Sequence, residues 1–277
     1  MSIRPGRRWS ASPACDTLRA ATMTAKRGTT KMGRFTQAYR DVIVQALDRF
    51  VASPDDDFDR GCDAVASALA ADRIIYVAGS GHSHLIAEEA FYRAGGVAAV
   101  QAILDPDLML HVSATRSSAL EREPGRAEAL LANYPVAVGD VVIVVSNSGR
   151  NAFPIEMALA CRSRGATVIA ITSLRHSHSV GSLHSSGQRL FEVADIVLDN
   201  GAVPGDASVA IAPHGPVMGP TSTILGAFII NALLAEATAR LADRGIAIDV
   251  YQSANTTNGD TAAAAIAARW KPRLKGL

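Results

Sequence analysis

The amino-acid sequence predicts an α/β protein with a doubly wound, mainly parallel five-stranded sheet and helices on both of its faces. Three observations predict this class. Short, continuous apolar runs recur along the chain, which is typical of strands buried on both faces. Helical segments fall between several of these runs, as they do where helices cover a sheet. Hydrophobic residues make up 48% of the 277 and charged residues only 19%, the composition of one well-buried globular unit.

The first two predicted elements are helices. From Phe35 to Phe50 the apolar residues are spaced three and four apart, which predicts an amphipathic helix. A second helix is expected to begin near Ser53-Pro54-Asp55, where cap and proline chemistry favour a helix N-terminus, and to continue through Leu69.

Five apolar runs are predicted as strands of the buried sheet. They span residues 74–78, 97–104, 141–145, 167–172 and 195–198. Helices are predicted over residues 83–93 and 153–164. A last major helix, over residues 221–243, is apolar nearly all round and therefore needs cover on more than one side. Either the rest of the chain or a second subunit provides that cover.

The charge distribution divides the chain into a basic start and a mildly acidic body. Residues 1–34 hold eight Lys or Arg against Asp16 alone, so this segment carries +7 and the remainder −6. We expect residues 1–34 to be a disordered basic tail, residues 35–265 to form the domain and residues 266–277 to be a basic C-terminal tail. A later start at Met23 or Met32, or a transit peptide, is the alternative interpretation of the first segment. The acidic body argues against nucleic-acid binding, which a basic face would favour.

The cysteines and the longest apolar segment indicate the cellular compartment of the protein. Cys15, Cys62 and Cys161 are odd in number and far apart, so they predict neither a metal site nor a disulfide framework, and a reducing cytoplasm fits best. The longest apolar run, residues 224–237, has 14 residues, fewer than the roughly 20 that cross a bilayer. We therefore expect a cytoplasmic protein without a membrane span.

Two predicted strands end in loops of the same kind. One loop is Gly79-Ser80-Gly81-His82-Ser83-His84 and the other is Ser146-Asn147-Ser148-Gly149-Arg150-Asn151. Each places small polar side chains and glycines between a strand and a helix N-terminus, where unpaired N–H groups and the helix dipole favour an anion. Together they predict a phosphate site, although serine and glycine are also what a tight turn uses.

Further polar side chains are expected at the same edge of the sheet. In the second loop Ser146, Ser148 and Asn151 are spaced so that their side chains can surround a phosphate, and Thr172-Ser173 ends the fourth strand with another hydroxyl pair. Neither a Gly-x-x-x-x-Gly-Lys-Ser/Thr nor a Gly-x-Gly-x-x-Gly pattern occurs at these loops. A nucleotide enzyme is therefore disfavoured.

The strand with its Gly-Ser-Gly-His-Ser loop, the run VVIVVSNSG and the run TVIAITS resemble the sugar isomerase (SIS) domain, over roughly residues 35 to 265. Other stretches, such as EEAFYRAGG and SANTTNGD, are similar to an uncharacterised bacterial SIS family related to N-acetylmuramic acid 6-phosphate etherases and phosphoheptose isomerases. Asn151 stands where the SIS pattern often has threonine. The resemblance implies a phosphosugar ligand and no cofactor or metal. It implies these phosphate and sugar contacts: Ser80, Ser83, Ser146, Asn147, Ser148, Asn151 and Ser173.

The resemblance leaves the catalytic base open. Isomerases and lyases of this kind must both move a proton on the carbon next to a carbonyl. The glutamate that the etherases carry ten residues after the first-loop serine is Arg93 here. The candidates are Glu88, Glu89 and His84, with His82 beside them, and solvated surface charge is the alternative interpretation of the glutamates. Other histidines could enter a site from a partner subunit: His111, His176, His178 and His214.

These observations favour a phosphosugar lyase or dehydratase. We expect it to act on an N-acetylhexosamine 6-phosphate such as N-acetylglucosamine 6-phosphate, by abstraction of the C2 proton and elimination at C3. The alternatives are an aldose–ketose isomerase similar to phosphoheptose isomerase and a phosphosugar sensor without catalysis. The resemblance and the apolar helix over residues 221–243 both imply a homodimer with its sites near the interface, and neither nucleic acid nor a membrane is an expected partner.

Overall fold

A sheet of five parallel strands, in the order β2-β1-β3-β4-β5, forms the centre of the protein. The computed structural model describes residues 33–52, 56–257 and 259–277. The predicted doubly wound, five-stranded sheet is confirmed. Its strands are β1 (Ile75–Gly79), β2 (Val100–Ile103), β3 (Val141–Val145), β4 (Thr167–Thr172) and β5 (Ile196–Asp199).

Helices cover both faces of the sheet, and successive residues of each strand point into two separate cores. In β3, for example, Val141, Ile143 and Val145 belong to one core while Val142 and Val144 belong to the other. This two-sided burial is why the strands read as continuous apolar runs. The helices of the described residues are α1 (Arg34–Ala52), α2 (Asp56–Ala70), α3 (His84–Ala90), α4 (Leu110–Leu120), α5 (Arg126–Leu131), α6 (Ala152–Ser163), α7 (Leu174–His178), α8 (Leu190–Val193), α9 (Ser222–Asp243) and α10 (Gly259–Trp270).

The two faces use different helices. One core joins the sheet to α2, α3 and α9. The other joins it to α4, α5, α6 and α8. The chain runs from β1 outward to β2 and then returns to the opposite side of β1 to form β3. The topological switch point therefore lies between β1 and β3, where ligands bind in open α/β sheets.

The observed element boundaries differ from the predicted ones where local backbone changes direction. β3 and β4 have the predicted bounds, but β2 is shorter because Val97 forms an antiparallel bridge with Val250 outside the sheet. α3 ends at Ala90 and not at Arg93, and Tyr92 adopts a positive φ of 45° that no helix continues through. The proposed start of the second helix, residues 53–55, lies outside the described residues, and α2 is described from Asp56.

The last residues pack on the domain, so the expectation of a separate C-terminal tail over residues 266–277 is corrected. α10 continues past residue 265 to Trp270, and Leu274 is buried in the second core. The side chain of Gln101, in β2, accepts a hydrogen bond from the Lys275 N–H at 2.6 Å and donates one to its carbonyl at 3.2 Å. Gln101 thus pairs with the C-terminal segment as a neighbouring strand would. The predicted basic start, apart from residues 33 and 34, lies outside the described residues.

α9 is the longest helix among the described residues, and it serves as a core helix. By length and composition alone it could cross a membrane, because it is 22 residues long and apolar, but 44% of its apolar window is buried inside the protein. Leu225, Ile229 and Leu233 are among its buried residues, whereas Ile224 is 41% exposed. Just before α9, the short strands β6 (Val209–Ala210) and β7 (Val217–Met218) form an antiparallel hairpin that the sequence pattern did not predict.

Candidate functional site

Two neighbouring strand ends form the candidate site. β1 and β3 are parallel and in register, with Gly79 opposite Val145. The β1 loop (residues 79–84) and the β3 loop (residues 146–151) therefore leave the sheet side by side at the switch point. The structure thus places both predicted loops at the position where α/β folds bind ligands.

Glycines allow both loops to turn tightly. A Cβ at Gly79 would lie 2.5 Å from the Ser83 carbonyl oxygen, so only glycine fits where the β1 loop folds back on its strand. Gly149 has a positive φ of 58°, and a Cβ there would lie 3.1 Å from the Leu190 Cβ. The loop shapes therefore depend on these two residues.

Three of the predicted serine hydroxyls are free to bind a ligand. Within the part of the chain that the structure describes, the hydroxyls of Ser80, Ser83 and Ser148 make no hydrogen bond. The Ser146 hydroxyl accepts a hydrogen bond from the Gly149 N–H at 3.2 Å, which closes the β3 loop. Ser146 therefore shapes the loop, and the other three can donate to a bound oxygen.

Unpartnered buried atoms concentrate in these two loops. Among the described residues, five buried side-chain nitrogen or oxygen atoms lack a hydrogen-bond partner, and four of them lie here: Nδ1 and Nε2 of His84, Nε of Arg150 and Oδ1 of Asn151. Leaving such an atom unsatisfied costs about 1–3 kcal/mol. The two loops that leave the sheet side by side therefore hold four buried polar atoms that are available to a partner from outside the chain.

The N-terminus of α6 offers fewer donors than the sequence suggested. The Phe153 N–H already donates to the Glu121 carbonyl at 3.0 Å, and Pro154 has no N–H. Asn151, the N-cap residue, makes no side-chain capping bond. The helix dipole still favours an anion, but most of the donors must come from the loop and not from the helix.

The Asn147 side chain is held by residues from two other strand ends. Its Oδ1 accepts a hydrogen bond from Asn200 Nδ2 at 3.1 Å, and its Nδ2 lies 3.4 Å from His176 Nδ1. Asn200 follows β5 and was not identified from the sequence, because it lies 53 residues along the chain. His176 is one of the histidines that the sequence suggests could enter a site from a partner subunit, and here it contacts the β3 loop of its own chain.

The role expected for Ser173 is corrected. Its side chain is fully buried, its hydroxyl donates to the Ala202 carbonyl at 2.6 Å, and it accepts from the His176 N–H at 3.1 Å. The Thr172 hydroxyl likewise lies 3.3 Å from the Asn147 carbonyl and 3.2 Å from the Ser177 hydroxyl. This hydroxyl pair supports the β3 loop and α7 from within the protein and does not face a ligand.

His84 is a neutral imidazole at physiological pH. It is only 2% exposed, and burial lowers the pKa of its imidazole to about 4, although Asp105 nearby acts in the opposite direction. The carbonyls of Leu108 and Gly81 are near enough to favour the protonated ring, but neither meets hydrogen-bond geometry. A neutral ring offers one donor and one acceptor to a ligand.

The two candidate glutamates differ. The Glu89 carboxylate forms an ion pair with Arg93 and accepts a hydrogen bond from Asn231 Nδ2 at 2.9 Å, so it is already engaged within the fold. Glu88 lies one helical turn after His84, is exposed, and has a carboxylate without a partner among the described residues. Of the two, Glu88 is the better candidate base.

Cavities and groups of metal-ligating side chains are the other places where a ligand could bind. A cavity of about 1010 Å³ lies between α1, α2 and α9 and reaches Asn200 and Gly201, but residues of the β1 and β3 loops do not line it. Over residues 33–52, 56–257 and 259–277, His, Cys, Asp and Glu side chains form no group of three that could hold a metal ion.

Comparison with known proteins first defines the class of protein. The family model of the SIS domain matches residues 38–173, which include β1 to β4 and both loops. A solved structure of phosphoheptose isomerase from Neisseria gonorrhoeae has a TM-score of 0.51 and 18% identity, over 74% of this chain and 97% of that chain. The resemblance to the SIS domain is therefore confirmed, and the shared fold extends over nearly all of the solved protein.

Curated relatives then define the particular family. A UPF0309 protein of Listeria innocua is 41% identical over 236 residues, which are 85% of this chain and 96% of the relative. A UPF0309 protein of Halalkalibacterium halodurans is 46% identical over 201 residues, 73% of this chain and 83% of the relative. The chain belongs to the UPF0309 family of SIS-domain proteins.

Proposed function

We propose that the chain binds a phosphorylated sugar across the β1 and β3 loops. The observation that carries this proposal is the cluster of four unpartnered buried atoms on His84, Arg150 and Asn151. These atoms include donors and acceptors, and a sugar phosphate supplies both: phosphoryl oxygens accept hydrogen bonds, whereas sugar hydroxyls donate and accept them. The name of the solved relative, a phosphoheptose isomerase, supports the same class of ligand.

The site residues divide between the two ends of this ligand. The hydroxyls of Ser80, Ser83 and Ser148 are donors suited to the phosphoryl group. The side-chain oxygen Oδ1 of Asn151 and the His84 ring are suited to sugar hydroxyls. We propose that Asn147 contacts the ligand between these ends, in the orientation that its hydrogen bonds with Asn200 and His176 give it.

For the reaction, we favour elimination from an N-acetylhexosamine 6-phosphate such as N-acetylglucosamine 6-phosphate. In its open-chain form a base removes the C2 proton, the electron pair forms a C2–C3 double bond, and the C3 hydroxyl takes up a proton from an acid and leaves as water. Glu88, or a residue of a partner subunit, is the proposed base. His84 is a poor base because its pKa is lowered to about 4, but its neutral ring can hydrogen-bond the aldehyde oxygen.

An aldose–ketose isomerase is the second candidate. It uses the same C2 proton and returns it to C1, so the residues of the site suit either reaction. The specific support is the phosphoheptose isomerase that shares the fold over 97% of its length. A sensor that binds the sugar without turnover is the third candidate.

Incubation with a panel of sugar phosphates distinguishes these candidates. The panel contains N-acetylglucosamine 6-phosphate, glucose 6-phosphate and fructose 6-phosphate. Each reaction is monitored by ultraviolet absorbance and by NMR of the products, and binding is measured by calorimetry. Elimination forms a conjugated, absorbing product, isomerisation forms a ketose or aldose without new absorbance, and binding without change indicates a sensor. If no compound of the panel binds, the proposed function is wrong.

The variant Ser148→Ala tests whether the β3 loop holds the ligand. We expect it to weaken binding by about 1–3 kcal/mol, because a hydroxyl that serves a buried phosphoryl oxygen is lost. Ser163→Ala is the matched control, since the Ser163 hydroxyl donates to the Ala160 carbonyl within α6 and lies at the opposite end of that helix. Equal affinities of the two variants and the unmodified protein would exclude Ser148 from the site.

The homodimer is also part of the proposal. Leu85 in α3, Tyr92 just after it, and Ile224 and Phe228 in α9 are exposed apolar side chains, which an interface would cover. A partner subunit close to these helices could also supply the base, in place of Glu88. Light scattering during gel filtration gives the mass that checks this expectation, and a monomer over the working concentration range contradicts it.

A further inference from the structure

Arg150 is the cationic side chain of the β3 loop, and the sequence motif gave it no role. The other side chains that the proposed function assigns to the site are hydroxyls, the two amides of Asn147 and Asn151, and the neutral imidazole of His84. A phosphate monoester carries about −1.5 to −2 charges at neutral pH. We propose that Arg150 binds the phosphoryl group and makes the site selective for phosphorylated over unphosphorylated sugars, an inference that rests on the phosphosugar function proposed above.

The first support is the state of the Arg150 side chain. Its Nε is buried and has no hydrogen-bond partner, and its guanidinium forms no ion pair with any described residue. Other arginines in this half of the chain do have carboxylate partners: Arg162 pairs with Asp195 at 2.9 Å and Arg164 with Glu128 at 2.6 Å. A buried guanidinium nitrogen without an acceptor is costly, and an oxyanion is the acceptor that fits it best.

The backbone of the β3 loop turns its N–H groups in a consistent direction. The carbonyls of residues 148, 149 and 150 accept hydrogen bonds from the Ser177 hydroxyl, the Leu190 N–H and the Leu183 N–H, each at 2.8 Å. In a planar trans peptide the N–H points opposite to the carbonyl of the same unit. The N–H groups of Arg150 and Asn151 therefore point away from the segment 177–190, and neither has a partner among the described residues.

These N–H groups and the guanidinium belong to the same few residues. Successive free backbone N–H groups form a concavity that favours an anion, and the Arg150 side chain adds the full positive charge that neutral donors lack. A phosphoryl group requires both directional hydrogen bonds and positive charge, and we assign both to this loop.

The nearby carboxylate of Asp206 accepts its hydrogen bonds from the start of α9 and not from Arg150. Both Arg150 and Asp206 act on the pKa of His176, which burial lowers, so all three groups lie in one region. Asp206, however, accepts hydrogen bonds from the N–H groups of Thr221 and Ser222 at 2.9 and 3.0 Å and from the Ser222 hydroxyl at 2.6 Å. It caps α9, which leaves the Arg150 charge available to a ligand.

The test compares variants by calorimetry. The probes are N-acetylglucosamine 6-phosphate, glucose 6-phosphate, fructose 6-phosphate, inorganic phosphate and unphosphorylated N-acetylglucosamine. We expect Arg150→Gln to weaken binding of the phosphorylated sugars by about 10- to 100-fold and to leave any binding of N-acetylglucosamine unchanged. Arg150→Lys keeps the charge without the buried Nε donor, so its affinity should lie between those of Arg150→Gln and the unmodified protein.

Arg175→Gln is the matched control, because Arg175 is an exposed arginine of α7 and its removal changes the net charge equally. Melting curves verify that each variant is folded. If the unmodified protein binds a sugar phosphate and Arg150→Gln binds it equally well, the inference about Arg150 is overturned while the proposed function stands. If the unmodified protein binds none of the phosphorylated probes, both are overturned.

Discussion

At the scale of single residues, the site is defined by atoms that the fold leaves without partners. The sequence predicted the serine hydroxyls of the two loops, because an apolar strand followed directly by glycine and serine is a local pattern of the sequence. It could not separate Ser148, whose hydroxyl is free, from Ser173, whose hydroxyl is buried. That difference depends on which way each side chain points, and only the packed structure determines it.

The buried His84 is expected to make the free energy of unfolding depend on pH. In the folded protein burial lowers the pKa of His84 from 6.5 to about 4, so between these values the unfolded chain binds a proton that the folded protein does not. The contribution of His84 to stability is therefore present above pH 6.5 and is lost as the pH falls towards 4. We expect this residue to account for a loss of about 2 kcal/mol between pH 7 and pH 5.

Urea unfolding of the unmodified protein and of His84→Gln at pH 7 and pH 5 measures this contribution. The variant should show a smaller loss of unfolding free energy over this interval. His178→Gln is the control, because His178 is an exposed histidine. An identical pH dependence of His84→Gln and the unmodified protein would contradict the argument.

At the scale of elements, long apolar runs were predictable and very short elements were not. β3 and β4 have their predicted bounds because every residue but Thr167 is buried, so the pattern has no gap. The hairpin of β6 and β7 has two residues in each strand, too few for any periodicity to appear. The same limit applies to α7 and α8, with five and four residues.

The start of α9 depends on an acidic residue that is distant from it in sequence. Asp206 accepts hydrogen bonds from the first N–H groups of the helix, the role that an N-cap residue usually has. We expect Asp206→Ala to lower the free energy of unfolding by about 1–2 kcal/mol, because these N–H groups lose their acceptor. Chemical denaturation provides the measurement.

Asp243→Ala at the opposite end of α9 is the matched control. Asp243 is exposed and lies at the negative end of the helix dipole, so its removal should leave stability unchanged or slightly raised. If Asp206→Ala is no less stable than Asp243→Ala, then Asp206 does not stabilise the helix.

At the scale of the whole molecule, residues that are far apart in sequence complete the sheet. β2 is an edge strand, and the C-terminal segment covers it through the paired side chain of Gln101 and the buried side chain of Leu274. The basic character of residues 266–277 suggested a solvated tail, since Lys and Arg dominate its charge. The apolar residues between those charges decide the outcome, because Trp270 and Leu274 pack into the cores.

Leu274→Ala tests this closure of the fold. Leu274 is 5% exposed, and removal of a buried leucine side chain typically costs about 2–5 kcal/mol. We expect a loss within this range in chemical denaturation. Lys271→Ala, an exposed residue of the same segment, should be nearly neutral. A neutral effect of both substitutions would mean that the C-terminal segment does not contribute to the core.

The in-register pairing of β1 with β3 also limits how this family can change over evolutionary time. Insertion of one residue into either strand would displace its loop by about 3.3 Å and exchange the side chains of the two sheet faces. Ser80 and Ser146 each stand immediately after a paired residue, so we expect insertions and deletions within the paired strands to move these serines out of place. New ligand preferences can therefore arise by substitution within the loops, or by lengthening beyond them, while the strands keep their lengths.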